Sequence, residues 1–495
     1  MAIDPDGAGR VESLGADEVR GRAAAGAGLL GMRGAAVYAL GIVANLALAH
    51  LLTPRDFGVV ALGSVLLVVG GQVAAGGVGA ALIRRPEPPR RVELEAIVGL
   101  QLALATALAG VAAAAAAAIG RDGLVIAVML ASLPIVGFRA PGTIVLERDL
   151  LYRPIAVVDL VEAIAYYAWA LVAVALGAGV WGLASAVVAR ALIGVLLMAR
   201  IGPCGLVRPR WSWRHVRGLV RFGVKLQAGG VVVIVRDQGL NVGVASVAGV
   251  ATLGVWSLAY RILQVPTLIV TTAVRIMFPL MSRTLAAREE PGPIIERTAG
   301  RMAVALGVVL VGLVACAPAA LPALLGDEWD DLPATLLWSC LALLVSAPVM
   351  VATLGYLYAS DHAGTMVAAV STQAVVWLAV TLPLLPSLGA TAVGVGAVPS
   401  ALALAAIAGR KAARLSGAAI LRSLALPTAV GIAAGAVGWA VSAAGGETLL
   451  RAAGGLVAGE LVLLAGLAIA SRALLADTWA LAARALRESL PRPAR

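Results

Sequence analysis

The chain has 495 residues, of which 61% are hydrophobic and only 13% charged, with a formal net charge of +11. A soluble domain carries roughly 45–50% apolar and about 25% charged residues, so an array of soluble domains is excluded. Apolar runs recur from about Gly28 to about Ser471, each of the length that crosses a ~30 Å hydrocarbon core as a helix, and open sheet edges cannot sit in lipid.

Taken in order, the runs place spans at about 28–52, 57–83, 93–119, 122–139, 154–177, 179–200, 219–247, 250–281, 299–325, 332–358, 365–386, 389–408, 422–443 and 449–470. The expectation is an all-α integral membrane protein of about 14 transmembrane helices. Residues 1–27 are mixed in charge, lack the order of a cleaved signal, and read as a cytoplasmic tail. Residues 202–218 form a basic linker, in which Arg210-Trp-Ser-Trp-Arg214 pairs cations with aromatics as an interface belt does. Beyond the last span, residues 472–495 form a basic tail. Within it Leu475, Trp479 and Leu486 share one helical face and Asp477, Arg484 and Glu488 the other, the pattern of a helix lying in the interface.

Loop charge tests this count independently. With the N-terminus inside, the inner loops carry Arg84, Arg85, Arg90 and Arg91; Arg139, Arg148 and Arg153; Arg200, Arg208, Arg210, Arg214 and Arg217; Arg283, Arg288 and Arg297; and Arg410, Lys411 and Arg414. The outer loops hold only Arg55, Arg121 and Arg451, and one of them, 326–331, is acidic. The inner loop 360–364 has no Lys or Arg, but the alternation otherwise follows the positive-inside rule and puts both termini in the cytoplasm. The net charge is thereby accounted for by topology, without a nucleic-acid partner.

Enzymatic parts are missing. Three widely spaced cysteines (Cys204, Cys316, Cys340) make no disulfide framework or metal-ligand set, and histidine is limited to His50, His215 and His362. There is no glycine-rich phosphate loop and no Ser/His/Asp set. The expectation is therefore neither an enzyme nor a holder of a metal or organic cofactor, which leaves a proton or sodium gradient as the candidate energy source.

A shift of 196 residues lays Phe57-Gly-Val-Val-Ala-Leu-Gly-Ser-Val-Leu-Leu67 on Leu253-Gly-Val-Trp-Ser-Leu-Ala-Tyr-Arg-Ile-Leu263, with Asn45 falling on Asn241. A weaker echo at a shift of 212 sets Gly177-Ala178 and Gly182 on Gly389-Ala390 and Gly394. Six spans separate the copies, so both keep one orientation, the parallel-repeat arrangement. Residues 28–201 then form an N-lobe of six helices and 219–409 a C-lobe of six, with two further helices in 410–471.

Leu51-Leu-Thr-Pro-Arg-Asp-Phe-Gly58, Gly79-Ala-Ala-Leu-Ile-Arg-Arg85, Pro141 to Asp149 with Gly177-Ala-Gly-Val-Trp-Gly182, and Leu253-Gly-Val-Trp-Ser-Leu-Ala-Tyr-Arg261 with Phe278-Pro279 together resemble one family. It is the polysaccharide-repeat, or O-antigen-type, flippases of the MATE-like (multidrug/oligosaccharidyl-lipid/polysaccharide) superfamily. The likeness covers about residues 28–420. It implies two six-helix lobes in a V, alternating access in a bacterial inner membrane, and export of undecaprenyl-diphosphate-linked sugar units. Of the candidate site residues, only Arg261 carries over by motif.

Charge within the spans singles out the remaining candidates, because Arg or Lys at a helix centre costs roughly 2.5–3.5 kcal/mol on insertion scales. Arg190, Arg236 and Arg261 lie deepest; Arg33, Lys225 and Arg275 lie nearer the inner surface, where snorkelling also explains them. Lys225 and Arg236 fall on one helical face, as do Arg261 and Arg275 unless Pro266 kinks the helix between them. Asp159 and Glu162 are i,i+3 on one face, with Tyr166 a turn further on; together with Asp237 they are candidates for ion coupling, or for neutralising Arg190, Arg33 and Arg236. Six cations against three anions predict a cationic cavity shared by both lobes, suited to the diphosphate of a polyprenyl-linked glycan. The expected partners are that glycolipid, membrane lipid, and the polymerase and glycosyltransferases of the same pathway. A cation-coupled multidrug antiporter of the same superfamily is the alternative, and would need an acidic cavity. A membrane-embedded glycosyltransferase would need a large outer loop, and no loop here is long enough.

Overall fold

The computed structural model describes residues 16–85, 87–444, 446, 448–472, 474–478 and 480; of 16–28, 30 and 224–232 it describes the backbone alone. In chain order the α-helices are α1 (Ala16–Leu51), α2 (Pro54–Ala75), α3 (Val78–Arg84), α4 (Arg91–Ala117), α5 (Arg121–Leu130), α6 (Ser132–Gly137), α7 (Ala140–Arg148), α8 (Tyr152–Ala173), α9 (Val180–Ile201), α10 (Trp213–Ala248), α11 (Val250–Ala286), α12 (Gly292–Leu325), α13 (Asp331–Ala359), α14 (Ala363–Leu388), α15 (Thr391–Leu404), α16 (Arg410–Ser416), α17 (Ile420–Ala443) and α18 (Leu449–Ala470). No strand occurs among the described residues. Helices keep every backbone hydrogen bond inside the segment, which hydrocarbon demands.

Among the described residues twelve helical stretches are long and apolar enough to cross a membrane, and a bent pair, Arg121–Gly137 with Ala140–Arg148 at 48°, raises the number to thirteen. α10 is 36 residues long but carries Arg236, Asp237, Gln238 and Asn241, and it is not among them. Each of the fourteen expected spans thus coincides with a helix, while the expected 57–83 and 122–139 are broken. The first break follows from Gly76 and Gly77, both left-handed at φ 57° and 65°, a conformation that costs glycine little. At the other end of α2, Thr53 caps the helix by accepting from the Asp56 N–H, the Asp56 carboxylate accepts from the Thr53 N–H, and Pro54 opens the first turn.

By contact the chain forms two units, Met1–Ser257 and Leu258–Arg495. α10 packs on α2, α3 and α4, which is why the boundary lies beyond the expected linker at 202–218. In the first unit, one core gathers Val78, Leu82, Leu94, Ile97 and Ile144 with Val207 and Val216. In the second unit, Met281, Ile295, Leu306, Leu344, Val351 and Tyr356 belong to one core. There α17 and α18 pack on α12 through small residues: a methyl on Gly455 would meet the carbonyl oxygens of Ala315 at 2.6 Å and Gly438 at 2.7 Å, the close approach that glycine permits between helices in lipid. Leu474 and Leu475 pack nearby, and Asp477 pairs with Arg301 at 2.9 Å. Trp479, Arg484, Leu486 and Glu488, expected on the same interfacial helix, lie outside the described residues.

Two features bear on the expected repeat. Within the first unit, the glycines that the 196-residue shift equates lie where the start of α2 crosses the start of α11. A methyl on Gly58 would stand 2.7 Å from the Val250 carbonyl carbon, and one on Gly254 would stand 2.6 Å from that of Pro54. Pro54 and Val250 are themselves 196 apart, so the contact is reciprocal, the signature of a two-fold relation. The weaker echo is shifted in register. Gly179 (φ 54°, ψ −137°), and not Gly177, shares its backbone geometry with Gly389 (φ 53°, ψ −136°). The segment before Gly179, Val174–Ala178, is kinked at Gly177, which is left-handed at φ 88° and ψ 10°. Each junction is clasped by a tryptophan: Trp169 donates to the Ser185 Oγ at 3.0 Å, and Trp377 to the Val393 carbonyl at 2.9 Å.

Candidate functional site: an arginine–carboxylate ladder

The site grows from a break in an apolar segment. Helix stops after Gly137 and restarts at Ala140 with Pro141 in its first turn; Pro134 lies on the other side of the break. Proline removes an intrahelical bond and disfavours helix in the residue before it. Arg139 sits at this break with 18% of its side chain exposed. Opposite, α8 presents Asp159 and Glu162 from one face.

Arg139 bridges the two acids. Its Nη1 donates to Glu162 Oε1 at 2.6 Å, and its Nη2 donates to Asp159 Oδ1. The far oxygen of each carboxylate faces a further arginine: Asp159 Oδ2 lies 2.7 Å from Arg33 Nη2 on α1, and Glu162 Oε2 lies 3.5 Å from Arg190 Nε on α9. The result is a ladder, Arg33–Asp159–Arg139–Glu162–Arg190, tying α1, α8 and α9 to the break. Gly194 on α9 makes room for Glu162; a methyl there would overlap its carboxylate. Glu147 on α7 lies within electrostatic reach of Arg139 and Asp159.

Exposure is graded along the ladder. Side-chain exposure is 7% at Glu162 and 13% at Asp159, but 34% at Arg33 and 51% at Arg190. Arg190 opens on a cavity of about 620 Å³ within the first unit, which Arg139 and Glu162 also line. Gln101, Ser132 and Thr143 add polar groups, and the remaining lining is small and apolar. Two guanidinium groups against one carboxylate make the lining cationic on balance. The long contact at 3.5 Å leaves Arg190 with unused donors, because a guanidinium has five.

The other expected residues with described side chains have settings of their own. Arg236 pairs with its neighbour Asp237 at 2.7 Å, both half-buried on α10, and neither lines this cavity. Arg261 is half-buried and Arg275 exposed on α11, in the second unit. The side chain of Lys225 lies outside the described residues. Asp159 and Glu162 are matched by arginines, as the neutralising reading of that pair expects. Arg139 corrects the sequence reading, which counted it as an inner-loop charge; the break carries it into contact with α8. Its signal was a lone cation flanked by Pro134 and Pro141 at the end of an apolar run. Among the described residues no group of His, Cys, Asp or Glu is arranged to hold a metal ion.

Residues 47–333 match the model of a family described as polysaccharide biosynthesis protein. The succinoglycan biosynthesis transport protein ExoT of Rhizobium meliloti (strain 1021) is 25% identical over 295 residues, 57% of this chain and 58% of that protein, so the match spans less than two thirds of the relative. Among solved structures, the lipid II flippase MurJ in an inward closed conformation superposes with a TM-score of 0.69 at 12% identity, over 90% of this chain and 99% of that one. An inward-facing multidrug resistance MATE family transporter of the MOP superfamily gives 0.57 at 15% identity, over 78% and 95%. At such identities the likeness is one of fold. With a family match over more than half its length and the helical architecture of these transporters, the chain is a multi-pass membrane protein that belongs to the polysaccharide biosynthesis protein family.

Proposed function

We propose that the protein is a flippase that moves undecaprenyl-diphosphate-linked oligosaccharide repeat units across the bacterial inner membrane by alternating access, for surface polysaccharide assembly. It is a transporter and not an enzyme, with both termini cytoplasmic and a proton or sodium gradient as its energy source. The polymerase and glycosyltransferases of the same pathway are its partners. The observation that carries this reading is Arg190, half exposed on a cationic cavity while its carboxylate partner is buried. A diphosphate brings at least two negative charges and oxygens spaced for guanidinium forks, and Arg190 has donors to offer it.

Arg33, Lys225, Arg236, Arg261 and Arg275 are the further candidates for the diphosphate and sugars, and Asp159, Glu162 and Asp237 for coupling. The multidrug-antiporter alternative needs a carboxylate open to a cation. Asp159 and Glu162 each carry two arginine partners, which disfavours it.

The test is a deletion strain complemented with wild type or with Arg190→Gln. Lipid-linked repeat units accumulate on the cytoplasmic side in the deletion strain and in the variant, and clear with wild type. Normal surface polysaccharide in the deletion strain, or restored drug efflux as the sole rescued phenotype, overturns the reading.

A further inference from the structure

Between α9 and α10 the chain is basic and aromatic, and it is fastened down. Val207 and Val216 are 4% and 1% exposed, sealed into the core of the first unit with Leu219 and Val220 packed beside them. The Arg210 N–H donates to the Glu95 carbonyl at 3.0 Å. Gly99 on α4 lets that backbone approach; a methyl there would come within 2.6 Å of the Arg210 carbonyl carbon. The segment is thus a fixed part of the first unit, with one side spent on the core.

The other side is open. Trp211 and Trp213 are 64% and 53% exposed, and Arg208, Arg210, Arg214 and Arg217 are exposed with them. Along the first turns of α10, Trp213, Arg217 and Arg221 recur at i, i+4 and i+8 on one exposed stripe, flanked on one side by the inward-packed Val216 and Val220. Beyond them Phe222 lies under the Arg84 guanidinium at 5.6 Å. The nearby acids are engaged: Glu93 with Arg85 at 2.9 Å, Glu95 with Arg91 at 3.4 Å. Among the described residues Arg208, Arg210, Arg214 and Arg217 have no acidic partner. Fixed cations with no acidic partner among the described residues, interleaved with exposed indoles just beyond the apolar span Val180–Ile201, fit one partner. Indoles settle at headgroup depth, and polybasic segments beside a span attract anionic lipid.

We propose that Arg208, Arg210, Arg214 and Arg217, with Trp211 and Trp213, form a docking surface for the headgroups of anionic phospholipids in the adjacent leaflet. The surface is separate from the ladder and does not depend on the transported substrate. The test uses the full chain reconstituted in phosphatidylcholine vesicles, with spin-labelled phosphatidylglycerol and spin-labelled phosphatidylcholine compared as probes. The ratio of their association constants at the protein exceeds one in wild type at low salt. It falls by up to about fivefold for each arginine neutralised, the equivalent of ~1 kcal/mol per charge. The quadruple variant Arg208→Gln, Arg210→Gln, Arg214→Gln, Arg217→Gln brings the ratio close to one. Should that variant fail to fold, the single variants Arg208→Gln and Arg210→Gln, outside any helix, give the same readout in smaller steps. A wild-type ratio of one overturns the proposal. So does a ratio unmoved in folded variants, or displacement of the labelled lipid by a short oligonucleotide or an acidic peptide at stoichiometric concentration.

Discussion

Replacing Arg139 with Gln separates a structural ladder from a coincidental one. The substitution takes the 2.6 Å bond from Glu162, whose side chain is 7% exposed, and leaves it only the 3.5 Å contact to Arg190. Asp159 is better placed, because Arg33 remains at 2.7 Å. Removing one partner of a buried pair costs about 3–5 kcal/mol, chiefly from the charge left behind. The surviving partners put Arg139→Gln near the lower end, at ~3 kcal/mol. The double variant Arg139→Gln, Glu162→Gln removes the stranded charge while leaving Asp159 paired with Arg33, so it recovers much of that loss. Reversible unfolding in detergent, run on wild type, both single variants and the double variant, gives the coupling between the two positions. A coupling of at least about 1 kcal/mol is expected for residues in direct contact. An Arg139→Gln protein within ~0.5 kcal/mol of wild type, the range of an ordinary surface change, would refute the buried ladder. So would strictly additive losses.

The remaining expectations address other parts of the molecule. Arg190→Gln leaves Glu162 its close contact with Arg139, so unfolding shifts by ~1 kcal/mol or less, while clearance of lipid-linked repeat units falls about tenfold or more, as loss of a charged hydrogen bond implies; a variant that transports normally removes Arg190 from the substrate path. Gly254→Ala places a methyl against the Pro54 carbonyl and costs roughly 1–3 kcal/mol of overpacking; an unchanged unfolding midpoint shows that this crossing is looser than described. Cys204 lies outside the spans, where burial pushes its thiol up. A raised value means less thiolate at a given pH, so maleimide alkylation lags an exposed cysteine at pH 8, with a midpoint above the ordinary ~8.5; a rate profile matching a free thiol contradicts the burial.

The helices were the most legible part of the sequence, because hydropathy summed over a span is local and large. Even the breaks had local causes: two left-handed glycines end α2, and prolines flank the interruption at Arg139. The partners of charged residues were not legible in the same way. Asp159 and Glu162 were placed on one face by helical spacing, but nothing in spacing selects Arg139, 20 and 23 residues away, over other cations. That choice is made by a bend of 48° and by the packing of α8 on α9. Arg236 shows the converse, since its partner proved to be the adjacent Asp237. In the weaker repeat the geometry of Gly389 recurs at Gly179 and not at Gly177, because two nearby positive-φ glycines make the kink and composition does not say which of them opens the next helix.

The reciprocal crossing of Gly58 and Gly254 also constrains how the two copies can diverge. Each glycine leaves space for the backbone that precedes its counterpart, at Val250 and Pro54. A larger side chain in one copy would push on the other, where no side chain exists to be trimmed in compensation. At these two positions a side chain is opposed from both sides, because the space beside each glycine is filled by the backbone that precedes the other.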